Sequence, residues 1–375
     1  MKQDNVYVYI GRFQPAHSGH EAVLKHAIQN SDHLVVLVGS AEQARSPKNP
    51  FTFEERKKVL EAITTRLAQD EWAKGRKVII DILPVHDHVY NNQKWLMEVQ
   101  EAVRSCTKSK NVTLTGCRKD GDESTFYLEF FPQWGQDFIQ EVSELQVYSV
   151  DRESGARLTP KSEIDIAVSS TNVRNRLFST KQITDTEIPA ETYEFLQKFA
   201  VSEKETLDQL VREHSFIQNY KSQMRKQLPY DTIPFLTGDS LVTCAGHVLV
   251  GIRRSEPGKG QYCLPGGFFD AWKDKDQIDA AIRELREETK IDVPENKLRG
   301  CIENSMEFGD FERDLRWRVI TKCVYIKLPG SKLPKVKGSD DLKGCFWMPM
   351  TEIAKNRDKF FVDHVSIIDT FLGIF

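Results

Sequence analysis

The first half of the chain alternates short apolar runs with amphipathic stretches, and this alternation restricts the fold more than any other feature of the sequence. Short buried strands that alternate with helices are typical of a parallel sheet covered by helices on both faces. We therefore predict an α/β fold for this half. The predicted strands are Val6–Ile10, Leu34–Val38, Val78–Val85 and Val112–Thr115, and the predicted helices are His20–Gln29, Thr52–Ile63 and Gln93–Val103.

The pattern changes after a polar, helix-prone stretch that runs from Val201 to Gln227. The second half favours a mixed sheet with one strongly amphipathic helix. A chain of 375 residues is long enough for two separate cores. We predict a first domain over 1–202, a helical connector over 203–228 and a second domain over 229–375. The predicted elements of the second half are the strands Ser240–Cys244, Val248–Ile252, Trp317–Lys327 and Phe346–Met348 and the helix Ile278–Lys290.

Composition and charge exclude several classes of protein. A net charge of -3 argues against a general nucleic-acid-binding surface. No apolar run approaches the ~18 residues that a membrane span needs, so we expect neither a signal peptide nor a membrane segment. The seven cysteines are scattered and include no Cys-x-x-Cys pair, which indicates reduced thiols in a cytoplasmic protein. The sequence leaves open whether the chain forms a homo-oligomer.

The stretch GRFQPAHSGH, residues 11–20, lies where the first predicted strand ends and a helix begins. Ligands of parallel α/β sheets bind at this end of the strands, and the N-terminus of a helix attracts anions. Gly11 permits a sharp turn, and Gly19 permits a close approach of the backbone to a ligand. His17 and His20, three residues apart, can donate hydrogen bonds to phosphoryl oxygens as negative charge develops on them. These residues predict a phosphoryl-transfer site.

Two other stretches are suited to a polyphosphate. Ser169-Ser170-Thr171-Asn172-Val173-Arg174 follows the strand-like run Ile164–Val168 and begins a helix, so that hydroxyls and an arginine lie at a helix N-terminus. The loop from Arg45 to Arg56 carries three basic residues into the second predicted helix. We expect both stretches to converge with residues 11–20 on one triphosphate. An alternative for Arg45 is a solvated loop charge.

Together these motifs resemble the His-x-Gly-His nucleotidyltransferases, and most closely the archaeal-type nicotinamide mononucleotide adenylyltransferases, over about residues 5–200. The resemblance also includes GSAEQARSPKNPFTFEERKKVL, VYNNQKWLMEV and FPQW at 131–134. It implies a Rossmann-like domain in which His20 stabilises the transferring α-phosphate. It assigns Asn92 to the nicotinamide carboxamide and Trp95 to stacking on the ring, although a tryptophan on a helix is commonly part of a core. The ATP site that it implies consists of Gly11, Phe13, His17, His20, Arg45, Arg56, Ser170, Thr171 and Arg174, with Arg45 also counted among the substrate ligands.

The second half carries a cluster of acidic residues in LPGGFFDAWKDKDQIDAAIRELREETKID, residues 264–292. Glu284, Glu287 and Glu288 fall on one helical face, where they repel one another unless a cation neutralises them. Oxygen ligands grouped in this way suit Mg²⁺ or Mn²⁺, which polarise a bound diphosphate. Arg283 is placed to orient a carboxylate. An acidic solvated helix face is the alternative.

This cluster is similar to the Nudix box, and the resemblance extends over about 229–375 as an α/β/α domain with a mixed sheet. Two positions depart from the box: Lys275 stands at the first glutamate and Lys290 at the final glycine. We expect Lys275 to weaken metal binding, unless Asp274 or Asp276 supplies the missing carboxylate through a loop two residues longer than usual. The resemblance to ADP-ribose pyrophosphatases implies that Arg313, Arg316 and Arg318 bind substrate.

The resemblance of the whole chain implies a bifunctional enzyme of NAD metabolism, with ATP, nicotinamide mononucleotide, NAD and ADP-ribose as its ligands. The first domain would make NAD and diphosphate, and the second would cleave ADP-ribose to AMP and ribose 5-phosphate. Two alternatives stay open. The first domain is an adenylyl- or cytidylyltransferase for another substrate, such as pantetheine phosphate, or the Nudix domain is a sensor that binds ADP-ribose or NAD without cleaving it.

Overall fold

The computed structural model describes residues 5–109, 112–116, 145–147, 149–150, 157–158, 169–180, 187–228 and 233–374, with the backbone alone between 145 and 158. The predicted strand Ile164–Val168 and the FPQW motif lie outside these residues. Contacts between Cα atoms divide the chain into two compact units. The first contains Met1–Glu42, Pro47–Asp87 and Asn92–Leu210, and the second contains Gln43–Ser46, His88–Asn91 and Val211–Phe375.

The first unit is built on a parallel sheet with the strand order β3-β2-β1-β4-β5. This confirms the predicted α/β fold. The strand β1 lies at the centre, between β2 and β4, and ligands of such sheets bind beyond the carboxyl ends of the strands where the strand order reverses. The strands are β1 (Val6–Gly11), β2 (His33–Val38), β3 (Ile79–Pro84), β4 (Val112–Gly116) and β5 (Leu145–Val147), and β6 (Ser149–Val150) pairs with β7 (Arg157–Leu158) in a separate ribbon.

Helices cover both faces of this sheet because its central strands are apolar on both sides. All six residues of β2 are buried. One apolar cluster joins the sheet to α1 and α2, and a second joins it to α3. The predicted second helix ended too early, at Ile63, since Leu67 and Ala68 continue its buried face. The helices are α1 (Ser18–Asn30), α2 (Phe53–Ala73), α3 (Asn92–Cys106), α4 (Ser170–Thr180), α5 (Ala190–Ser202) and α6 (Lys204–Gln227).

The predicted connector is the helix α6, and the division between the two units falls within it, between Leu210 and Val211. Its last turn carries Arg225 and Lys226, which favour the negative end of the helix dipole. No helix in the described part of the chain combines the length and apolarity that crossing a membrane requires.

The second unit is built on a mixed sheet with the order β10-β9-β8-β13-β12, to which β11 adds on β8 and β14 on β9. The strands β8 and β13 run parallel, and their neighbours run antiparallel. Apolar clusters lie on both faces of the sheet. The strands are β8 (Phe235–Cys244), β9 (His247–Arg253), β10 (Tyr262–Cys263), β11 (Gly266–Phe268), β12 (Ile302–Phe308), β13 (Val319–Leu328) and β14 (Leu342–Pro349).

The helices of this unit are α7 (Gln277–Thr289), α8 (Glu295–Gly300), α9 (Met350–Ile353) and α10 (His364–Leu372), with a 3₁₀ segment at Ala354–Lys359. The prediction placed α7 correctly and missed β12 and α10. The strand β12 lies at the edge of the sheet, and Phe308 is its one buried residue. An edge strand that is exposed on both faces shows no apolar alternation, so the sequence pattern did not reveal it.

Candidate active sites

The first predicted site forms where β1 ends. At Gly11 a Cβ atom would lie 2.8 Å from the ring of Phe13, so only glycine lets the chain fold back in this way. The ring of Phe13 is 2% exposed and packs edge-on against Tyr9 at 5.3 Å, and its centroid lies 4.9 Å from that of His20. The ring of Phe13 therefore supports His20, and contact of Phe13 with ATP stays a prediction.

His17 and His20 cap the helix that follows. His17 is the N-cap of α1, and its Nδ1 accepts a hydrogen bond from the backbone N–H of Gly19 at 3.1 Å. His20 Nδ1 accepts in turn from the backbone N–H of His17 at 3.1 Å. A ring nitrogen that accepts from an amide carries no proton, so Nε2 carries the proton in both imidazoles. The cap thus sets two Nε2–H donors at the positive end of a helix.

Arg56 holds the loops around this site together. Its guanidinium donates to the carbonyls of Arg12 at 2.6 Å, Gly39 at 2.7 Å and Ser40 at 3.0 Å, and Nε donates to Thr52 at 3.2 Å. The residue is 3% exposed, and burial lowers its pKa to about 10. These four hydrogen bonds commit most of the donors of Arg56 to the backbone. These contacts give Arg56 a structural role, and binding of the triphosphate stays a prediction.

The N-terminus of α4 is fastened to the same loop. The hydroxyl of Ser170 donates to the carbonyl of Pro15 at 3.0 Å, and Arg174 donates to the carbonyl of Gln14 at 2.6 Å. Arg174 also donates to Thr171 Oγ1 at 3.1 Å. The predicted convergence of residues 11–20 with the Ser170-Thr171 cluster is present in the structure. Binding of ATP by these side chains stays a prediction.

Sequence reasoning missed Gln14, a buried residue of the same loop. Its side-chain amide donates to the carbonyl of Phe51 at 2.8 Å and accepts from the amide of Phe51 at 3.0 Å. It therefore ties residues 11–20 to the loop that precedes α2. The signal available in the sequence was a glutamine between an aromatic residue and a proline. The functional prediction for this motif rested mainly on its histidines.

The three residues assigned to the mononucleotide lie in different surroundings from one another. Asn92 is exposed at the first position of α3. Trp95 lies one turn further on, is partly buried and packs against the apolar cluster that contains Leu96 and Val99. Arg45 belongs to the segment Gln43–Ser46 of the second unit, where its carbonyl accepts from Gln261 at 2.8 Å. The core contact of Trp95 does not exclude stacking by its exposed part.

The second predicted site forms where β11 passes α7. Two glycines in β11 let acidic side chains approach the strand. A Cβ atom at Gly266 would lie 2.1 Å from Asp239, and one at Gly267 would lie 2.5 Å from the carboxylate of Glu284. The amide of Gly266 donates to Glu288 at 3.0 Å. Leu264-Pro265-Gly266-Gly267 therefore forms one wall of an acidic site.

Arg283 lies at the centre of this site. Its Nε and one terminal nitrogen form a fork with Asp274, both at 2.8 Å. The other terminal nitrogen donates to Glu284 at 2.7 Å and to Glu287 at 3.2 Å. The hydrogen bonds from Arg283 hold the pKa of Asp274 below its usual value. Of the two candidates for the missing carboxylate of the box, Asp274 is the one that reaches the arginine.

The described hydrogen bonds of Lys275, Asp276 and Lys290 are with residues of α7. Asp276 is the N-cap of α7, and its side chain accepts from the amides of Ile278 and Asp279. Lys275 is exposed, and its amide donates to Asp279 at 3.1 Å. Lys290 ends α7 in the left-handed conformation with φ 43° and ψ 37°. The expectation that Lys275 opposes a cation stays a prediction, and Lys290 departs from the box in residue type while its left-handed backbone suits the glycine of the box.

Glu288 is the most perturbed carboxylate of the site. It is 3% exposed, and burial raises its pKa to about 8 against the effect of the Gly266 hydrogen bond. Negative charges on Glu284, Asp341 and Asp239 raise it further. The sequence analysis did not identify Asp239, which is 6% exposed and accepts from Thr321 Oγ1 at 2.7 Å. A polar residue within an apolar strand was the signal available for it.

A divalent cation would fit the chemistry of these donors but not their present arrangement. Buried carboxylates that raise one another's pKa are stabilised by a cation. Within the described residues, however, no three acidic, histidine or cysteine side chains are grouped closely enough to hold a metal ion. Glu284 and Glu287 both bond Arg283 instead. The predicted ligands Glu284, Glu287 and Glu288 thus lie near one another, but their side chains are not arranged to bind one cation.

The three arginines assigned to substrate are all engaged with protein groups. Arg313 is 6% exposed, forms an ion pair with Asp363 at 2.9 Å and lies 3.7 Å from Asp239. Its guanidinium balances two buried carboxylates, and its role as a substrate ligand stays a prediction. Arg316 forms a fork with Asp314, and its guanidinium lies 5.8 Å from the ring centroid of Phe268.

Arg318 contacts an exposed aromatic side chain. It is partly buried, donates to the carbonyl of Asp310 at 3.0 Å and lies 4.6 Å from the ring centroid of Phe311, a side chain that is 83% exposed. A role in substrate binding therefore stays a prediction for Arg316 and Arg318.

Two family models match the chain. The Cytidylyltransferase-like model matches residues 8–176, and the NUDIX domain model matches residues 239–371. A nicotinamide/nicotinic acid mononucleotide adenylyltransferase from Acinetobacter baylyi is 32% identical over 197 residues, which cover 52% of this chain and 87% of that protein. A nicotinamide-nucleotide adenylyltransferase from Archaeoglobus fulgidus is 36% identical over 91 residues, which cover 24% of this chain and 50% of that protein.

Two solved structures are similar along nearly the whole chain. A bifunctional NMN adenylyltransferase/ADP ribose pyrophosphatase from Francisella tularensis has a TM-score of 0.81 and 28% sequence identity, and the match covers 99% of both chains. The same Francisella protein complexed with AMP and a Mn ion has a TM-score of 0.80 and 27% identity over the same share. The chain therefore belongs to the family of nicotinamide/nicotinic acid mononucleotide adenylyltransferases and carries a NUDIX domain in its second half.

Proposed function

We propose that the first domain, 1–202, transfers the AMP part of ATP to nicotinamide mononucleotide, which forms NAD and releases diphosphate. The phosphate of the mononucleotide attacks the α-phosphorus of ATP, and the bond from that phosphorus to the bridging oxygen of diphosphate breaks. The observation that carries this proposal is the histidine cap of α1, which sets two Nε2–H donors beside the N-terminus of a helix. No side chain has to act as the nucleophile.

Catalysis in this domain rests on positioning and charge stabilisation. His20 donates from Nε2 to an oxygen of the α-phosphate as its negative charge grows. The hydrogen bonds that Ser170 and Arg174 make to residues 14 and 15 hold the N-terminus of α4 beside the same loop, where it accommodates the other phosphates. Asn92 and Trp95, at the start of α3, are the residues that recognise nicotinamide. Mg²⁺ bound by ATP supplies further charge neutralisation.

For the second domain, 229–375, we propose hydrolysis of ADP-ribose to AMP and ribose 5-phosphate with the help of a divalent cation, Mg²⁺ or Mn²⁺. Water adds to one phosphorus of the diphosphate, and the bridging oxygen leaves with the other phosphate. Glu284, Glu287 and Glu288 would hold the cation, which polarises the diphosphate when it is bound. The acidic character of the site, with Glu288 buried, supports this role. The Francisella protein, complexed with AMP and a Mn ion, has the matching fold.

One observation favours a second candidate for this domain. Arg283 donates hydrogen bonds to Glu284 and Glu287. If these two carboxylates stay paired with Arg283, they would not ligate a cation, and a bound diphosphate would not be polarised for cleavage. The domain would then sense ADP-ribose or NAD.

A paired assay on the full chain tests both proposals. NAD formation is measured with nicotinamide mononucleotide and with nicotinic acid mononucleotide, and AMP release from ADP-ribose is titrated with Mg²⁺ and Mn²⁺. We expect Glu288→Gln to abolish AMP release and to leave NAD formation unchanged, since the two sites lie in separate units with separate cores. Binding of ADP-ribose without AMP release at any metal concentration would establish the sensor instead.

A further inference from the structure

A tyrosine from the first half of the sequence packs against the core of the second unit. Tyr90 belongs to the segment His88–Asn91, which is part of that unit. Its ring lies edge-on to Phe308 at a centroid distance of 4.8 Å and contacts the apolar cluster to which Phe308 belongs. Its hydroxyl donates to the carboxylate of Asp363. Burial and the charge of Asp363 raise the pKa of Tyr90, so the hydroxyl keeps its proton and acts as a donor.

The carboxylate of Asp363 also binds the buried Arg313. Arg313 donates to Asp363 from Nε at 2.9 Å and from a terminal nitrogen at 3.3 Å, and this terminal nitrogen lies 3.7 Å from Asp239. Asp239 in turn lies against β11, where a Cβ atom at Gly266 would be 2.1 Å from it. Asp363 is 3% exposed, and a buried carboxylate needs donors to replace the water it has lost. Loss of the Tyr90 hydroxyl would therefore loosen Asp363.

His364 connects the same helix start to the wall of the acidic site. Asp363 is the N-cap of α10, and His364 is its first residue. Nδ1 of His364 accepts from the backbone N–H of Leu264 at 2.9 Å. His364 is 6% exposed, and burial lowers its pKa to about 4, so the imidazole is neutral and can accept in this way. Leu264 begins the wall in which the amide of Gly266 donates to Glu288. The start of α10 therefore fixes one end of this wall.

We propose that Tyr90 is a positioning residue of the second site, which acts through Asp363 and the start of α10 to hold residues 264–267 in place. This inference rests on the hydrolysis proposed for the second domain. It implies that residues 229–375 do not contain everything that sets the geometry of this site, because one anchor comes from position 90.

Hydrogen–deuterium exchange of the full chain tests the anchoring independently of catalysis. Tyr90→Phe keeps the ring on Phe308 and removes only the hydroxyl. A hydrogen bond to a buried charged group changes a local equilibrium by about tenfold or more, so exchange of the peptide 262–268 should become about tenfold faster. The matched control is Tyr325→Phe, which removes a hydroxyl that accepts from Thr243 at 3.3 Å and packs on the same apolar cluster. We expect this control to change exchange of the peptide by less than about twofold, and exchange of β9 to stay the same in both variants.

Activity measurements on the same proteins connect the anchoring to the site. We expect Tyr90→Phe to lower the turnover of AMP release from ADP-ribose by about tenfold and to leave the Michaelis constant within about twofold, since a displaced wall disturbs the reacting geometry more than binding. NAD formation should not change. If Tyr90 acts through Asp363, the double variant with Asp363→Asn should be no slower than Asp363→Asn alone.

Several outcomes would overturn the proposal. Unchanged exchange of the peptide 262–268 in Tyr90→Phe would show that the hydroxyl does not hold the wall, and equally faster exchange of β9 would show a general loss of stability. Additive losses of turnover in the double variant would exclude action through Asp363. Loss of NAD formation with AMP release intact would assign Tyr90 to the first site. If the unaltered chain released no AMP at any metal concentration, the proposed hydrolysis would fail, and the exchange measurement would still decide whether Tyr90 holds the wall.

Discussion

The backbone N–H of His17 donates to Nδ1 of His20, and the two imidazole rings lie with their centroids 3.8 Å apart. The histidines are therefore structural caps as well as candidate catalytic groups. A cap of this kind takes one nitrogen of each ring and leaves the proton on the other. The helix start and the proposed phosphate donors are consequently built from the same two side chains.

This double role can be separated by His20→Asn. The side-chain oxygen of asparagine can accept from the His17 amide as Nδ1 does, but asparagine has no donor at the position of Nε2. We expect turnover in NAD synthesis to fall by about 10²–10³-fold, the usual cost of a lost transition-state donor. Stability should change little. His20→Ala, which also removes the cap, should lose the same turnover and additionally about 1 kcal/mol of stability. Steady-state kinetics and urea unfolding check this, and a fall in turnover below about tenfold would contradict the assigned role.

We expect Arg56 to contribute more to the stability of the fold than to ATP binding. Arg56→Lys removes the planar group that bonds the carbonyls of Arg12, Gly39 and Ser40. Hydrogen bonds of buried charged groups contribute substantially, so the free energy of unfolding should fall by about 2–4 kcal/mol. Lys58→Met, at an exposed position of the same helix, is the control and should change it by less than about 0.5 kcal/mol. If Arg56→Lys raised only the Michaelis constant for ATP, Arg56 would be a triphosphate ligand after all.

Replacement of Lys290 is expected to increase the stability of the fold. It adopts the left-handed conformation that glycine accommodates without cost, and a side chain there is strained by about 1 kcal/mol. We expect Lys290→Gly to raise the free energy of unfolding by about that amount. Lys290→Ala removes the same charge and keeps the strain, so it should give no comparable gain. Urea unfolding of both variants decides between strain and charge as the cause.

His86 makes the stability of the first unit depend on pH. Its ring nitrogens lie 2.5 Å from Glu98 and 3.3 Å from Glu42, and hydrogen bonds to Glu42 and Glu98 raise its pKa to about 9. Because the folded pKa lies above the unfolded value of about 6.5, the stabilisation is complete below pH 6.5 and is lost as pH rises through 9. His86→Gln should therefore cost most stability near pH 6 and progressively less towards pH 9.5. A difference from the unaltered chain that stays constant over this range would show that the ion pairs contribute nothing.

Much of the chemistry could be predicted from the sequence, because it depends on short segments whose residues are neighbours. The spacing of Glu284, Glu287 and Glu288 places them on one face of any helix they form. His17 and His20 likewise meet at a helix start whatever surrounds them. Four of the five strands of the first sheet were equally predictable, since every residue of a strand such as β2 is buried and the apolar run shows it directly.

What only the tertiary structure decided is which charged side chains remain available for substrate. Arg56, Arg313 and Asp274 are charged residues in polar stretches, and the local sequence does not reveal whether such a residue faces solvent or interior. Arg56 is hydrogen-bonded to carbonyls at the ends of two strands. Arg313 is paired with Asp239 and Asp363. Asp274 is committed by an arginine nine positions later in the chain. These partners meet because the fold brings separate segments together, and burial then requires each charged group to be hydrogen-bonded or paired by the polar groups nearest to it.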